Sequence, residues 1–173
     1  MLKIRNHRTY FSYYISVLVE NHSGVLSRIS GLFSRRGFNI ESLAVGPTEN
    51  PEVSRITIIA DGDDHTVEQI EKQLNKLIEV IKVKSFRPQD CMARELMLLK
   101  VNATAEKRQE IMTICEITES KVIDLTVNTM TLEICDKYDH LVKFVALLEP
   151  YGIVEMVRTG TIAIQRGNET IQK

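Results

Sequence analysis

With 173 residues, 22 Lys+Arg against 23 Asp+Glu and a formal net charge of −1, the chain is sized for one domain or two small ones. A hydrophobic fraction of 43% and a charged fraction of 26% exclude wholesale disorder. Near-neutral charge argues against nucleic-acid binding by bulk electrostatics. Residues 1–86 carry 11 basic and 10 acidic groups and residues 87–173 carry 11 and 13, so neither half is a charged tail. No apolar run approaches the roughly 20 residues that span a bilayer. Met1 to Tyr10 is polar and basic rather than a signal-peptide core, which predicts a cytoplasmic protein without a membrane partner. Cys91, Cys115 and Cys135 are odd in number and far apart, and the four histidines are scattered. That fits reduced thiols and gives no metal-ligand spacing.

Taken in chain order, Tyr14 to Glu20 is β-branched and apolar and predicts a buried strand. Asn21-His22-Ser23-Gly24 breaks it. Val25, Leu26, Ile29, Leu32 and Phe33 then recur at helical spacing. Arg35 and Arg36 favour the negative end of that helix, and Gly37 stops it. Ile40 to Val45 is a second strand, Gly46 to Pro51 a turn, and Ser54 to Ala60 a third strand. Val67, Ile70, Leu74, Leu77 and Ile78 mark a second helix, and Val80 to Phe86 a fourth strand.

Arg87-Pro88-Gln89-Asp90 is polar and reads as a linker, after which the order repeats. Leu96 to Val101 is a strand, and Ala105 to about Thr118 a helix with Ile111, Ile114 and Cys115 inward. Lys121–Val127 and Met130–Ile134 form a hairpin. Lys137 to Leu148 is a helix ended by Pro150, and Ile153 to Val157 a strand; Thr161 to Ile164 is an extra short one.

The order β-α-β-β-α-β twice defines an α+β chain of two tandem ferredoxin-like βαββαβ units. The predicted domains are 12–86 and 93–168, joined by a linker at 87–92. Units of roughly 75 residues are marginal alone. Their sheets have open edges and one face that only a partner would cover. A homodimer through side-by-side or face-to-face sheets follows as an expectation.

The turn Glu20-Asn21-His22-Ser23-Gly24-Val25-Leu26 is the richest in chemistry. A helix N-terminus exposes unpaired N–H groups and the positive dipole end, a seat for a carboxylate. Gly24 admits close approach of a ligand, and Asn21 offers both acceptor and donors. The same residues also serve if Asn21 or Ser23 merely caps the helix and Gly24 eases the turn. Asn39, entering the second strand, is either a turn residue or a group that an edge-to-edge partner brings to the first turn. Catalytic motifs are absent: the sequence has no Gly-x-Ser-x-Gly, no Walker loop and no Gly-x-Gly-x-x-Gly. The acidic runs at 61–64 and 136–139 stand at helix starts, where they complement the dipole.

The segments Glu20-Asn21-His22-Ser23-Gly24-Val25-Leu26-Ser27-Arg28, Gly31 to Leu43 and Ser54 to Ile58 resemble the ACT domain. More narrowly, residues 12 to 168 resemble the regulatory small-subunit family of acetolactate synthase, also called acetohydroxyacid synthase. In that family the first domain is the ACT domain. The resemblance implies a non-enzymatic partner of a catalytic large subunit. No cofactor is expected in this chain; thiamine diphosphate, magnesium and FAD would belong to the catalytic partner. The small subunit would raise synthase activity and let valine inhibit it, at the first common step of branched-chain amino-acid synthesis. The matching effector positions are Asn21, His22, Ser23, Gly24, Val25 and Leu26 from one chain and Asn39 and Ile40 from the other. The alternative is a free-standing ACT-type amino-acid sensor controlling another enzyme or a transcription factor. An acylphosphatase-like enzyme is disfavoured, because its phosphate loop needs an arginine and Arg28 lies a full turn into the helix.

Overall fold

The computed structural model describes residues 12–172; the polar segment 1–11 lies outside the described residues. The strands are β1 (Ser12–Glu20), β2 (Ser42–Pro47), β3 (Val53–Asp61), β4 (Val80–Phe86), β5 (Cys91–Asn102), β6 (Lys121–Leu125), β7 (Thr129–Asp136), β8 (Ile153–Arg158) and β9 (Ile162–Gln165). The helices are α1 (Val25–Arg36), α2 (Asp64–Leu74), α3 (Arg108–Thr118) and α4 (Tyr138–Leu148). The chain forms two compact units. The first runs to Ala93 and takes in the segment from Thr161 onward; the second is Arg94–Gly160. Each is the expected α+β βαββαβ unit, with antiparallel strands ordered β2-β3-β1-β4 in the first and β6-β7-β5-β8 in the second.

In the first unit, period-two alternation sends Ile15, Val17 and Val19 of β1 and Ile56, Ile58 and Ala60 of β3 to one sheet face. There they meet Val25, Ile29, Leu32 and Phe33 of α1 and Ile70 and Leu74 of α2. Two different caps start the two helices. Asp63 caps α2, its Oδ1 accepting the Thr66 N–H at 2.8 Å, and bonding from Thr66 holds that carboxyl below its ordinary pKa. The cap of α1 is Gly24, left-handed at φ 91, with no side-chain bond to the first turn and no acidic residue in it. In the second unit Ile111 and Cys115 of α3 and Leu141, Phe144, Val145 and Leu148 of α4 are buried, as are Met97, Leu99 and Val101 of β5.

Several boundaries differ from the sequence reading; α3 starts at Arg108 rather than Ala105, and β6 ends at Leu125 rather than Val127. Helix α2 stops at Leu74 rather than reaching Ile78. Leu77 still packs on the core from the following turn, but Ile78 is 91% exposed, so an apolar residue at helical spacing need not lie on the helix. Strand β2 begins at Ser42 and runs through Pro47. Among the described residues it pairs with β3 alone, and a proline's missing N–H costs nothing on a strand's open side. Within the short linker at 87–92, Pro88–Asp90 forms a 3-10 turn and β5 already begins at Cys91.

The C-terminal segment is the most consequential feature. Its strand β9 pairs with β5, and by its contacts the segment from Thr161 groups with the first unit. The predicted uncovered face of the first sheet is therefore covered by the chain itself. Ala163 packs with Tyr14, Ile59, Phe86 and Cys91, where the Tyr14 and Phe86 rings stack 6.5 Å apart. Thr161 donates its N–H to Ser42 Oγ at 3.0 Å. Arg55 donates from Nη2 to the Ala163 carbonyl at 2.7 Å and from Nε to buried Ser16 Oγ at 2.7 Å. Burial lowers the pKa of its guanidinium. Lys84 pairs with Glu169 at 3.2 Å, and Ile171 is buried. Polar groups on a sheet face normally signal solvent. Here Arg55, itself held by Ser16, binds the Ala163 carbonyl, and Ser42 accepts from the Thr161 N–H.

Candidate effector site at the start of the first helix

The turn from Glu20 to Leu26 is held on two sides. Toward the β2–β3 hairpin, Asn21 donates its backbone N–H to the Glu52 carbonyl at 2.8 Å and Nδ2 to the Pro51 carbonyl at 2.7 Å. Its Oδ1 accepts from Ser54 Oγ at 2.9 Å. Toward the α2–β4 turn, Glu20 donates its N–H to the Glu79 carbonyl at 2.9 Å. The buried Glu79 carboxylate pairs with Arg28 on α1. Asn21 thus anchors the turn with both ends of its amide.

Neither Asn21 nor Ser23 caps α1. The first turn of α1 begins beside exposed Ser23 and Gly24. Because Gly24 is left-handed and a Cβ there would meet nothing within 4 Å, its approach is unobstructed. Val25 is buried in the core at 4% exposure, while Leu26 is 41% exposed. His22 folds back on the turn: Nδ1 lies 3.0 Å from the Ser23 carbonyl and Nε2 lies 3.0 Å from Glu20 Oε2. The arrangement suits a carboxylate, which the amide dipoles and the lack of a first-turn acid both favour.

Asn39 and Ile40 stand at the other end of α1. Gly37 at φ 70 ends the helix in a Schellman turn, with Gly37 N–H on Ser34 O at 3.3 Å and Phe38 N–H on Phe33 O at 3.0 Å. The accompanying apolar contact is the edge-to-face pair Phe33–Phe38 at 5.9 Å. This turn delivers Asn39 to the surface ahead of β2, not within it, where Nδ2 donates to Glu41 Oε1 at 3.3 Å. Ile40 is half-buried against the chain's own core. Twelve helical residues separate the two ends, about 18 Å at the α-helical rise. One chain therefore gathers Asn21 to Leu26 but not Asn39 and Ile40. Sequence reasoning missed the supports, Pro51, Glu52, Ser54 and Glu79. They lie about 30 to 60 residues from the turn in sequence, and no local spacing marks them.

Comparison with known proteins bears on this geometry. Residues 15–82 match the family described as AHAS small subunit-like ACT domain, and residues 94–167 match the family described as small subunit of acetolactate synthase. The chain belongs to the acetolactate synthase small-subunit family. It is 48% identical over 155 residues to a probable acetolactate synthase small subunit from Archaeoglobus fulgidus, covering 90% of this chain and 97% of that one. It is 45% identical to the acetolactate synthase small subunit of Haemophilus influenzae, over 91% and 97% of the two chains. The crystal structure of the acetolactate synthase small subunit from Thermotoga maritima matches with a TM-score of 0.86 at 41% identity, over 91% and 99%. Among the described residues no group of three or more His, Cys, Asp or Glu is placed to hold a metal ion, and no helix is long and apolar enough to cross a membrane.

Proposed function

We propose that this chain is the non-catalytic regulatory subunit of an acetolactate synthase, working in the cytoplasm. It raises the activity of a thiamine-diphosphate-dependent catalytic subunit and confers feedback inhibition by valine. Magnesium and FAD would accompany thiamine diphosphate in that partner. The observation that carries the reading is the start of α1, a helix with no side-chain cap and no first-turn acid in a small-subunit ACT domain. The N–H groups around Gly24 and Val25 seat the valine carboxylate, and exposed Leu26 lies beside the isopropyl group.

The remaining wall comes from a second copy. The C-terminal segment covers the back of the first sheet at Ala163 and Ile171, which favours edge-to-edge over face-to-face pairing. The open side of β2, with Val45 half-exposed, is the edge next to Asn39. Pairing there brings the partner's copies of Asn39 and Ile40 toward the turn. A ligand in a seat shared by two chains favours one dimer geometry, and only its differential affinity for that geometry is transmitted. A coupling of about 1–3 kcal/mol is typical.

The direct test assays the catalytic subunit with and without this chain across a valine titration. Activation together with valine-dependent inhibition is expected; valine-insensitive activity would overturn the effector assignment. For Asn39→Ala, calorimetry should show valine affinity at least fivefold weaker with the dimer intact. Unchanged affinity removes Asn39 from the seat.

A further inference from the structure

His22 is the one titratable side chain whose two polar atoms both face acceptors within the effector turn. A neutral imidazole carries one donor and one acceptor; only the imidazolium donates from both nitrogens. Here both nitrogens lie 3.0 Å from oxygens that can only accept, the Ser23 carbonyl and the Glu20 carboxylate. Deprotonation turns one of these contacts into lone pair against lone pair and releases it. The Ser23 carbonyl immediately precedes Gly24, so losing either contact unties the peptide that leads into α1 from the Glu20 carboxylate at the end of β1.

We propose that His22 is a positioning residue whose protonated form closes this turn, so that effector binding takes up protons and strengthens as the pH falls from 8.5 to 6. The inference rests on the effector reading above. Two effects act in the same direction. The closed turn holds the N–H seat in place, and the imidazolium adds positive charge beside a carboxylate. The charged groups around His22 are Glu20 at the end of β1, Glu79 on the α2–β4 turn, and Arg28 on α1, which is paired with Glu79. The hairpin side presents the uncharged Pro51 carbonyl and Ser54 hydroxyl to Asn21. Bonding to the Ser23 carbonyl, then to Glu20, raises the His22 pKa above its ordinary 6.5. A raised pKa keeps the cation to higher pH. The stronger-binding form is therefore full below about 6.5 and is lost as the pH climbs through the raised value. Valine itself stays zwitterionic across this range.

The test is valine calorimetry on the full chain from pH 6 to 8.5, in buffers of differing ionisation enthalpy so that proton uptake is counted. The wild type is expected to bind about threefold or more weakly at pH 8.5, within the tenfold that one full unit of pKa displacement allows. Reciprocity requires the His22 ring titration, followed by NMR, to move upward when valine is bound. His22→Gln should flatten the profile, and Glu20→Gln should move its midpoint down. A merely structural role would leave the proton count at zero. Wild-type affinity independent of pH, with no proton uptake, overturns the proposal alone. Absence of valine binding at every pH overturns the effector reading, and the proposal with it.

Discussion

A chain truncated after Gly160 is expected to lose about 3–5 kcal/mol of stability in its first unit, the scale of a large core deletion. The removed segment contributes buried Thr161, Ala163 and Ile171. It also supplies the carbonyl that accepts from Arg55 and the N–H that donates to Ser42. Without it, Tyr14, Ile59 and Phe86 are bared on the back of the sheet, and half-buried Arg55 loses the Ala163 carbonyl while keeping Ser16. An exposed apolar face of this kind also invites aggregation. Urea unfolding followed by circular dichroism, compared with the full chain, is the measurement. A second variant guards against gross misfolding. Ala163→Asp keeps the whole segment but places a carboxylate among Tyr14, Ile59, Phe86 and Cys91, and should cost at least about 2 kcal/mol for an unpaired buried polar group. Unfolding midpoints matching wild type in both variants would show that the segment contributes nothing to the fold.

The second large effect is functional. Gly24→Asp is expected to abolish valine inhibition while activation of the catalytic subunit survives. Steric exclusion within the chain is not the reason, since a Cβ at Gly24 would meet nothing within 4 Å. Two other effects act. The new carboxylate repels the effector carboxylate at the same seat. Aspartate is also a favoured N-cap, and its oxygen would accept from the first-turn N–H groups that the effector needs. The left-handed φ of 91 costs about 1–2 kcal/mol in a residue with a side chain, which a folded domain tolerates. Gly24→Ala carries the same backbone cost without the carboxylate, so it should keep most of its valine response. A holoenzyme assay across a valine titration separates the two. Full valine inhibition of the Gly24→Asp holoenzyme would remove the start of α1 as the seat.

The elements themselves were legible because each has a local cause. Alternating Ile15, Val17 and Val19 specify a strand face, Val25, Ile29, Leu32 and Phe33 a helix stripe, and Gly37 with Phe38 a Schellman stop. The turn at Asn21 to Gly24 was legible as a break between them, but its chemistry was not settled. Asn21 read as a helix cap or as a ligand group, with the cap the commoner role, and the fold ties its side chain to Pro51 and Ser54 instead. Where apolar residues follow a helix without belonging to it, as at Leu77 and Ile78, periodicity alone overran the end.

Residues close together in the chain are enough to specify two βαββαβ units, the break before α1 and membership of the small-subunit family. The tertiary structure alone decided that Thr161 to Gln172 returns to the first unit, that Arg55 serves a buried backbone carbonyl, and that Asn21 is anchored to a hairpin 30 residues away. Those contacts join residues separated by 30 to more than 100 positions. Their stability comes from burial and from satisfying polar groups in three dimensions, which leaves no periodic trace along the chain.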